Sequence, residues 1–290
     1  MFGRIYFDVF FFSFFFSIIF CFFCSLVDNM LGFWVFLELC GLSLVPSFFC
    51  GKDSGIGGFY SSLLRYIIMA GVSSVLLVSG LLFNELYYFI FFGFVVKFGL
   101  FPFSFWVYRV FSNRGWGFIF FLSVIMKFPV LFFCFLFQGE CLRLVYVDCF
   151  VTILMCGVFF WFFSSRWGYI WCHISLSSVS TLVVVCFSGD AWICFFIYFY
   201  YFVWACLCLF YFSLLRDVEQ NVERFWWYCF LLLITPVSFP LVYKLRVCFG
   251  IFYSSFYILL SWIIYRFSEQ FFLYKIGSDF FYRCVYKRWV

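Results

Sequence analysis

The chain has 290 residues, of which 68% are hydrophobic and only 11% are charged, and its formal net charge is +5. Soluble domains carry about 25% charged residues, and a water-soluble fold of this size would expose more apolar surface than such domains tolerate. The composition therefore excludes a soluble globular protein. It predicts a chain that crosses a lipid bilayer several times, with about 20 apolar residues in each span.

Segments poor in acidic and basic residues divide the chain into ten predicted membrane spans. In chain order they are Val9–Val27, Asn29–Cys50, Tyr66–Asn84, Leu86–Tyr108, Gly115–Phe137, Leu144–Ser165, Trp167–Gly189, Ala191–Leu215, Phe225–Tyr243 and Val247–Tyr265. The predicted fold class is all-α, a polytopic integral membrane helix bundle of about ten transmembrane helices. Residues 1–265 form the predicted transmembrane domain. Residues 266–290 form an aromatic and basic C-terminal tail, expected to lie flat at the membrane surface or to dock on a neighbouring subunit.

Loop charges support the count of ten. With ten spans, both termini and every second loop share one side, and this side holds Arg4, Lys52, Arg109, Arg114, Arg166, Arg216, Arg224, Arg266, Lys275, Arg283, Lys287 and Arg288. The other side holds Asp28, Glu85, Glu140 and Asp190, with Arg143 as its clearest cation. Because cations resist translocation, the basic side is expected to face the compartment in which the chain is made.

Cysteine is abundant, at 16 residues, beside 57 Phe and 12 Trp. Codons rich in U and G encode these residue types, so we interpret the bias as that of an organellar gene. Cys21 and Cys24 have CxxC spacing, but they lie in a run of phenylalanines and no second pair follows at zinc or iron–sulfur spacing. We expect the cysteines to be small buried hydrophobic residues, and we predict no metal or other cofactor in this chain.

Charged residues inside the predicted spans are the strongest functional signal. Placing a lysine at the centre of a membrane helix costs roughly 2.5–3.5 kcal/mol, so such residues usually face a bundle interior or a wet cavity. Lys97 and Lys127 lie near the middle of their spans, and Glu38 lies within another. They predict a proton or ion path. The structural alternatives are an ion pair, for instance between Glu38 and Arg65, or a lysine that extends to the interface.

Prolines lie close to each membrane lysine. Pro102 follows Lys97, Pro129 follows Lys127, and the pair Pro236 and Pro240 precedes Lys244. Proline removes a backbone donor, and discontinuous helices that carry ionisable residues form the ion sites of many transporters. A lysine withdrawn from water also exchanges its proton more readily. We therefore predict discontinuous helices around Lys97 and Lys244, and proton or ion translocation.

His173 is the only histidine. This chain alone therefore lacks the ligands for bis-histidine haem or for the copper centres of an oxidase. His173 lies in a serine-rich run within an apolar span, where it contacts a hydrated path or serves as a satisfied structural group. No glycine-rich phosphate loop is present, and the basic residues are dispersed over loops, which argues against nucleotide and nucleic-acid binding.

Several segments resemble the antiporter-like subunits of respiratory complex I, NADH dehydrogenase subunit 2 in particular. Val96–Val107 is similar to the family pattern K-L-G-x-x-P-F-H-F-W-x-P, and Phe36–Leu44 to G-x-E-L-x-S-L. Weaker likenesses follow at Arg65-Tyr66, Lys127 with Pro129, Ser164–Ser180 and Pro236–Lys244, and the motifs occur in the family's order. Ser104 replaces the usual histidine, and Arg65 replaces a lysine that would release its proton more easily.

The resemblance implies a subunit without redox centres that moves protons from matrix to intermembrane space while other subunits pass electrons from NADH to quinone. It implies that a Glu38–Arg65 ion pair controls the proton affinity of Lys97, that Lys127 relays the proton, and that Lys244 loads the exit side. His173 and Ser104 are candidates for a hydrated path. The expected partners are other membrane-arm and accessory subunits and lipids, in a hetero-oligomer of the mitochondrial inner membrane with both termini in the matrix.

Three alternatives stay open. In the first alternative, the chain is another antiporter-like subunit, such as subunit 4. The string Phe103-Ser104-Phe105-Trp106 disfavours this alternative. In the other two, the chain is a free-standing cation/proton antiporter, or it is a structural membrane subunit whose lysines have lost their role. A lone transporter is expected to be stable when purified by itself, whereas a subunit of a complex co-migrates with many others.

Overall fold

The computed structural model describes residues 2–50, 56–112, 115–137, 142–164, 166–217 and 222–286. Within these ranges the chain forms α-helices and short 3-10 turns and no β-strand, which confirms the all-α prediction. The helices are α1 (Phe2–Leu26), α2 (Met30–Ser43), α3 (Ile56–Leu82), α4 (Tyr88–Phe98), α5 (Phe105–Ser112), α6 (Trp116–Ser123), α7 (Phe128–Leu136), α8 (Leu142–Phe163), α9 (Trp167–Ser188), α10 (Ala191–Asp217), α11 (Val222–Leu232), α12 (Phe239–Phe252) and α13 (Phe256–Tyr286). The 3-10 turns are Val45–Cys50, Asn84–Leu86 and Ile125–Lys127.

Seven segments of the described chain are long and apolar enough to cross a membrane: Asp8–Leu26, Met30–Phe49, Tyr60–Leu82, Trp116–Leu136, Arg143–Phe163, Trp167–Ser188 and Ala191–Leu215. Three further units are α4 with α5, α11 with α12, and α13. Over the described ranges this gives ten helical units in the predicted order, of which seven have the length and hydropathy of a membrane span. That all ten cross the membrane stays a prediction. Large apolar side chains on the outside, such as Phe162, Trp192 and Phe210, suit contact with lipid.

Helix α9 runs through the centre of the bundle. Every residue from Ile170 to Cys186 is buried, and α5, α7, α8, α10 and α12 pack around the helix. Hydroxyls on α9 donate to backbone carbonyls three residues earlier, so these polar groups are satisfied inside the protein. The helix therefore presents hydroxyl and carbonyl oxygens to its neighbours at the core of the bundle.

The first interruption, predicted around Lys97, separates α4 from α5 and is confirmed. Gly99 ends α4 in the left-handed conformation (φ 68°), which only glycine adopts readily. The indole of Trp106 donates to the Val96 carbonyl at 3.1 Å, so a carbonyl freed at the helix end has a partner. The chain turns through Pro102 and re-enters the bundle as α5.

Replacing Gly99 by alanine is expected to destabilise the protein by about 3 kcal/mol, because the left-handed backbone is strained for alanine and the site is overpacked. A Cβ at this position would lie 2.2 Å from Cγ2 of Val107. Gly71→Ala is the control, since a Cβ there meets nothing within 4 Å and alanine favours a helix. Thermal unfolding in detergent checks both variants; equal midpoints would contradict the structural role of Gly99.

A second interruption, which the sequence analysis did not predict as a break, places Lys127 in the 3-10 turn between α6 and α7. Pro129 has no backbone donor for the helical hydrogen bond in this turn. Carbonyls before the turn accept hydroxyls from α10 instead: Tyr201 donates to the Ser123 carbonyl at 3.2 Å and Tyr198 to the Val124 carbonyl at 3.3 Å. Two tyrosines thus stabilise the break beside the lysine.

The third interruption, predicted around Lys244, lies between α11 and α12 and is also confirmed. The side-chain oxygen of Gln270 accepts a hydrogen bond at 3.0 Å from the N–H of Ile234, within the break. Pro240 lies in the first turn of α12, where a helix needs no backbone donor. Lys244 therefore lies well inside α12.

The predicted boundaries of the last two spans, Phe225–Tyr243 and Val247–Tyr265, are wrong. Helix α12 continues to Phe252, and α13 runs from Phe256 to Tyr286 without interruption. The predicted division between transmembrane domain and tail at residue 265 falls inside α13, and residues 287–290 lie outside the described part. Helix α13 packs on α8, α11 and α12. The buried charges of α13, Arg266 and Glu269, pair with each other and with Lys244 of α12. Charged residues therefore did not mark the end of the last span.

Candidate functional site

Lys97 and Glu38 form an ion pair between α4 and α2. The Lys97 ammonium lies 2.5 Å from Oε1 of Glu38, and the two side chains are 4% and 23% exposed. Lys97 is in the last turn of α4, where the helix dipole favours a cation. The structure thus joins two of the predicted residues directly and places their charges beside a helix break.

The predicted ion pair between Glu38 and Arg65 is not present. The hydroxyl of Tyr66 donates to the Gly41 carbonyl at 2.9 Å, so Tyr66 occupies the face of α3 that meets α2. Adjacent helical residues point about 100° apart, and Arg65 is accordingly only partly buried on another face. The partner of Glu38 is Lys97, because Lys97 approaches from the broken helix opposite.

Lys127 is almost completely buried and is held by neutral groups. Its ammonium donates to the Ser178 hydroxyl at 2.5 Å and to the Ser175 carbonyl at 3.0 Å, and it lies 3.8 Å from the centre of the Tyr201 ring. Within the described ranges no carboxylate pairs with it. A carbonyl, a hydroxyl and an aromatic face all favour a cation, so this is a cation site without a countercharge.

A small cavity is lined both by Lys97 and by Ser175, one of the residues that hold Lys127. Its volume is about 20 Å³, and its lining includes Lys97, Trp106, Met126 and Ser175. A cavity of about 10–15 Å³ or more has room for one water. Because the Ser175 carbonyl also accepts from Lys127, one water in this cavity would bring the two lysines into a single hydrogen-bonded system.

Lys244 belongs to a buried cluster of three charges. Its ammonium lies 2.8 Å from Oε1 of Glu269, in an ion pair without hydrogen-bond alignment, and Arg266 donates to Oε2 of the same carboxylate at 2.6 Å. All three side chains are buried. Arg266 and Glu269 fall in the predicted tail and are not among the predicted site residues. The available signal was the Arg-x-x-Glu spacing in an aromatic helix, which places both on one face.

Aromatic rings connect the Lys127 site with this cluster. The Tyr201 ring, which lies under Lys127, is 5.8 Å from the Tyr243 ring. The guanidinium carbon of Arg266 lies 5.7 Å from the centre of the Tyr243 ring. Trp204 stacks on Tyr243 at 5.3 Å and holds it in position. These tyrosines were also missed, because an aromatic residue in a chain so rich in aromatics carries no sequence signal.

His173 and Ser104, the candidates for a hydrated path, lie apart from the lysines. Nδ1 of His173 is 2.8 Å from the Tyr108 hydroxyl, and Nε2 has no hydrogen-bond partner among the described residues. A surface cavity of about 320 Å³ is lined by Tyr108 and Arg109 among others, and His173 lies behind Tyr108, outside this lining. Ser104 is buried at the start of α5. Their part in a hydrated path stays a prediction.

Comparison with known proteins bears on the fold. No protein-family profile matches the sequence, and no curated protein matches it. Among solved structures, a chain of respiratory complex I from Thermus thermophilus, determined with bound aureothin, superposes with a TM-score of 0.73. This chain shares that fold. The likeness covers 90% of this chain and 68% of that chain at 12% sequence identity.

Proposed function

We propose that this chain is a proton-translocating membrane-arm subunit of respiratory complex I, the NADH:ubiquinone oxidoreductase, and that it corresponds to the antiporter-like subunit 2. The observation that carries the proposal is the lysine row (Lys97, Lys127 and Lys244), three buried lysines. Lys97 and Lys127 lie at interruptions of a helix, and Lys244 lies in the helix that follows the third interruption. The fold shared with a chain of the Thermus complex supports the proposal. The order of the sequence motifs from Phe36 to Lys244 supports it independently.

The surroundings of Lys127 favour a proton-carrying role over a purely structural role of the lysines. An ion pair accounts for the burial of Lys97 and Lys244, but Lys127 has only neutral partners in the described structure. The hydroxyl of Ser178 accepts from an ammonium while it donates to the Ser175 carbonyl, and on rotation away from that carbonyl it can donate to a neutral amine. The site therefore accommodates lysine in both protonation states, which is the property a relay requires.

The proposed path follows the contacts between the three sites. A proton leaves Nζ of Lys97 when its pairing with Glu38 loosens, and it crosses the cavity at Ser175 through one water to the neutral amine of Lys127. It then passes to water beside the Tyr201 and Tyr243 side chains, and from this water to the neutral amine of Lys244. Each transfer leaves the donor nitrogen with its lone pair and the acceptor with the charge. Glu38, rather than Arg65, controls Lys97 in this path.

In this proposal the chain itself carries no redox group. Electron transfer from NADH to ubiquinone takes place in other subunits, and the chain is coupled to it through the membrane arm. The expected setting is the mitochondrial inner membrane, with both termini on the matrix side, in a hetero-oligomer with other membrane-arm and accessory subunits. The loop charges favour this orientation.

Native-gel separation of detergent-solubilised mitochondrial membranes tests the assignment. Peptides of this chain are expected in the band with NADH dehydrogenase activity, and mass spectrometry identifies them. Migration as a small separate species would contradict the assignment and favour a free-standing cation/proton antiporter. Cross-linking within the active band distinguishes subunit 2 from subunit 4 by the neighbours that each contacts.

A further inference from the structure

The cluster around Lys244 differs from the pair around Lys97 in one respect. Glu38 has a single cationic partner, whereas Glu269 binds two cations, Lys244 on Oε1 and Arg266 on Oε2. Glu269 and Arg266 lie one turn apart on α13, and Lys244 approaches from α12. A cluster with two cations and one anion carries an excess positive charge as long as Lys244 is protonated.

The arrangement determines which proton is free to leave. Arginine does not lose its proton in proteins. If Lys244 becomes neutral, Glu269 keeps a complete ion pair with Arg266. If Lys97 becomes neutral, Glu38 is left without a cationic partner, which is costly for a partly buried charge. Proton release from Lys244 therefore leaves a balanced site, and release from Lys97 does not.

The Arg266 side chain is held in place by three aromatic rings and one hydrogen bond. Its guanidinium carbon lies 5.1, 5.3 and 5.7 Å from the ring centres of Trp262, Tyr265 and Tyr243. Nε and Nη2 make no hydrogen bond in the described structure, so the bond from Nη1 to Glu269 is the polar contact that fixes the side chain. The aromatic faces stabilise the delocalised cation and keep it away from water.

The other elements packed against α12 bring no competing charge to Lys244. Helix α10 contributes Tyr201, which faces Tyr243, and its Phe196 contacts Arg246, which therefore points away from the cluster. Helix α9 contributes the hydroxyl-bearing Thr181 and Ser178. Among the described side chains of α11, none is charged. Among the described side chains, the charges that face Lys244 are thus those of Glu269 and Arg266.

We propose that Arg266 is a positioning residue that keeps Glu269 ionised as a fixed countercharge, so that Lys244 releases and rebinds a proton without leaving a bare carboxylate in the core. The released proton passes to a water or to the next acceptor, and the electron pair stays on Nζ of Lys244. The inference rests on the proposed function only in taking Lys244 as a proton-exchanging group. It makes the cluster the release site of the lysine row.

Nitrogen-15 NMR of lysine side chains in the purified full-length chain, in lipid nanodiscs, tests the proposal. The chain has six lysines, so the Lys244 resonance is assigned by its loss in Lys244→Met. In Arg266→Gln, the midpoint for deprotonation of Lys244 is expected to rise by about one pH unit, a tenfold tighter hold on the proton. The reason is that Lys244 gains the whole carboxylate and loses a neighbouring positive charge. Arg266→Lys keeps the charge and is expected to restore the midpoint.

Two outcomes would overturn the proposal. An unchanged Lys244 midpoint in Arg266→Gln would show that Arg266 only fills space. Equal shifts of Lys97, Lys127 and Lys244 would show a general loss of packing rather than a local effect. A well-dispersed spectrum of the double variant Arg266→Gln/Glu269→Gln shows that the site tolerates loss of the pair. This readout needs no pumping and no partner, so it fails or succeeds independently of the assignment to complex I.

Discussion

Replacing Lys127 by methionine is expected to lower proton translocation through this chain by at least about a hundredfold while the protein still folds and assembles. A positioned acid–base group contributes about 100- to 10,000-fold to a proton-transfer step, and methionine cannot exchange a proton. Apolar groups of similar volume in place of buried charges are often neutral or stabilising by about 1–4 kcal/mol. Because Lys127 has neutral partners, its replacement leaves no buried carboxylate without a cationic partner.

The measurement pairs thermal unfolding of the purified complex with acidification of sealed vesicles supplied with NADH. Lys275→Met is the matched control, because Lys275 is exposed on α13 and outside the lysine row. Both variants are expected to unfold at or above the wild-type temperature, and only Lys127→Met is expected to lose translocation. A Lys127→Met complex that fails to assemble would identify this lysine as structural.

Replacing Glu38 by glutamine is expected to destabilise the protein by about 2 kcal/mol, because Lys97 then lacks its countercharge inside the bundle. Removal of one partner from a fully buried pair costs about 3–5 kcal/mol. Glu38 is 23% exposed, so water offsets part of this cost. Proton translocation is expected to fall as well, since Lys97 no longer alternates between a paired and an unpaired state.

A double-mutant cycle with Lys97→Met measures this pair. The double variant Glu38→Gln/Lys97→Met is expected to regain most of the lost stability but none of the translocation. Glu85→Gln is the control, because Glu85 is exposed in a 3-10 turn between helices. Additive effects of the two substitutions would contradict a direct interaction and would reopen the predicted pairing of Glu38 with Arg65.

The fold was predictable where the bilayer imposes simple rules. A span must be long and apolar, which gave ten units in the right order, and a proline beside a membrane lysine predicted the breaks around Lys97 and Lys244. The same rule misplaced the last two spans. Arg266 and Glu269 count as loop charges in a hydropathy scan, yet in α13 they neutralise each other and Lys244.

The candidate site was predictable in its lysines but not in their partners. The position of a residue between the two ends of a predicted membrane span follows from the sequence. This position alone identified Lys97 and Lys127 as candidates. Which carboxylate meets which lysine depends on helix rotation and on packing between distant segments. The contact of Tyr66 with Gly41 turned Arg65 away from Glu38. The contact of Lys127 with Ser175 and Ser178 joins segments 48 and 51 residues apart, which no local pattern encodes.

The central claim, that this chain carries protons along the lysine row, is tested most directly by the triple variant Lys97→Met/Lys127→Met/Lys244→Met in the assembled complex. NADH oxidation and vesicle acidification are recorded together, with Lys275→Met as reference. The proposal predicts fewer protons moved per NADH, or a joint fall of both rates if the steps are tightly coupled. Wild-type values of both rates in the triple variant would contradict it and leave the buried lysines with a structural role alone.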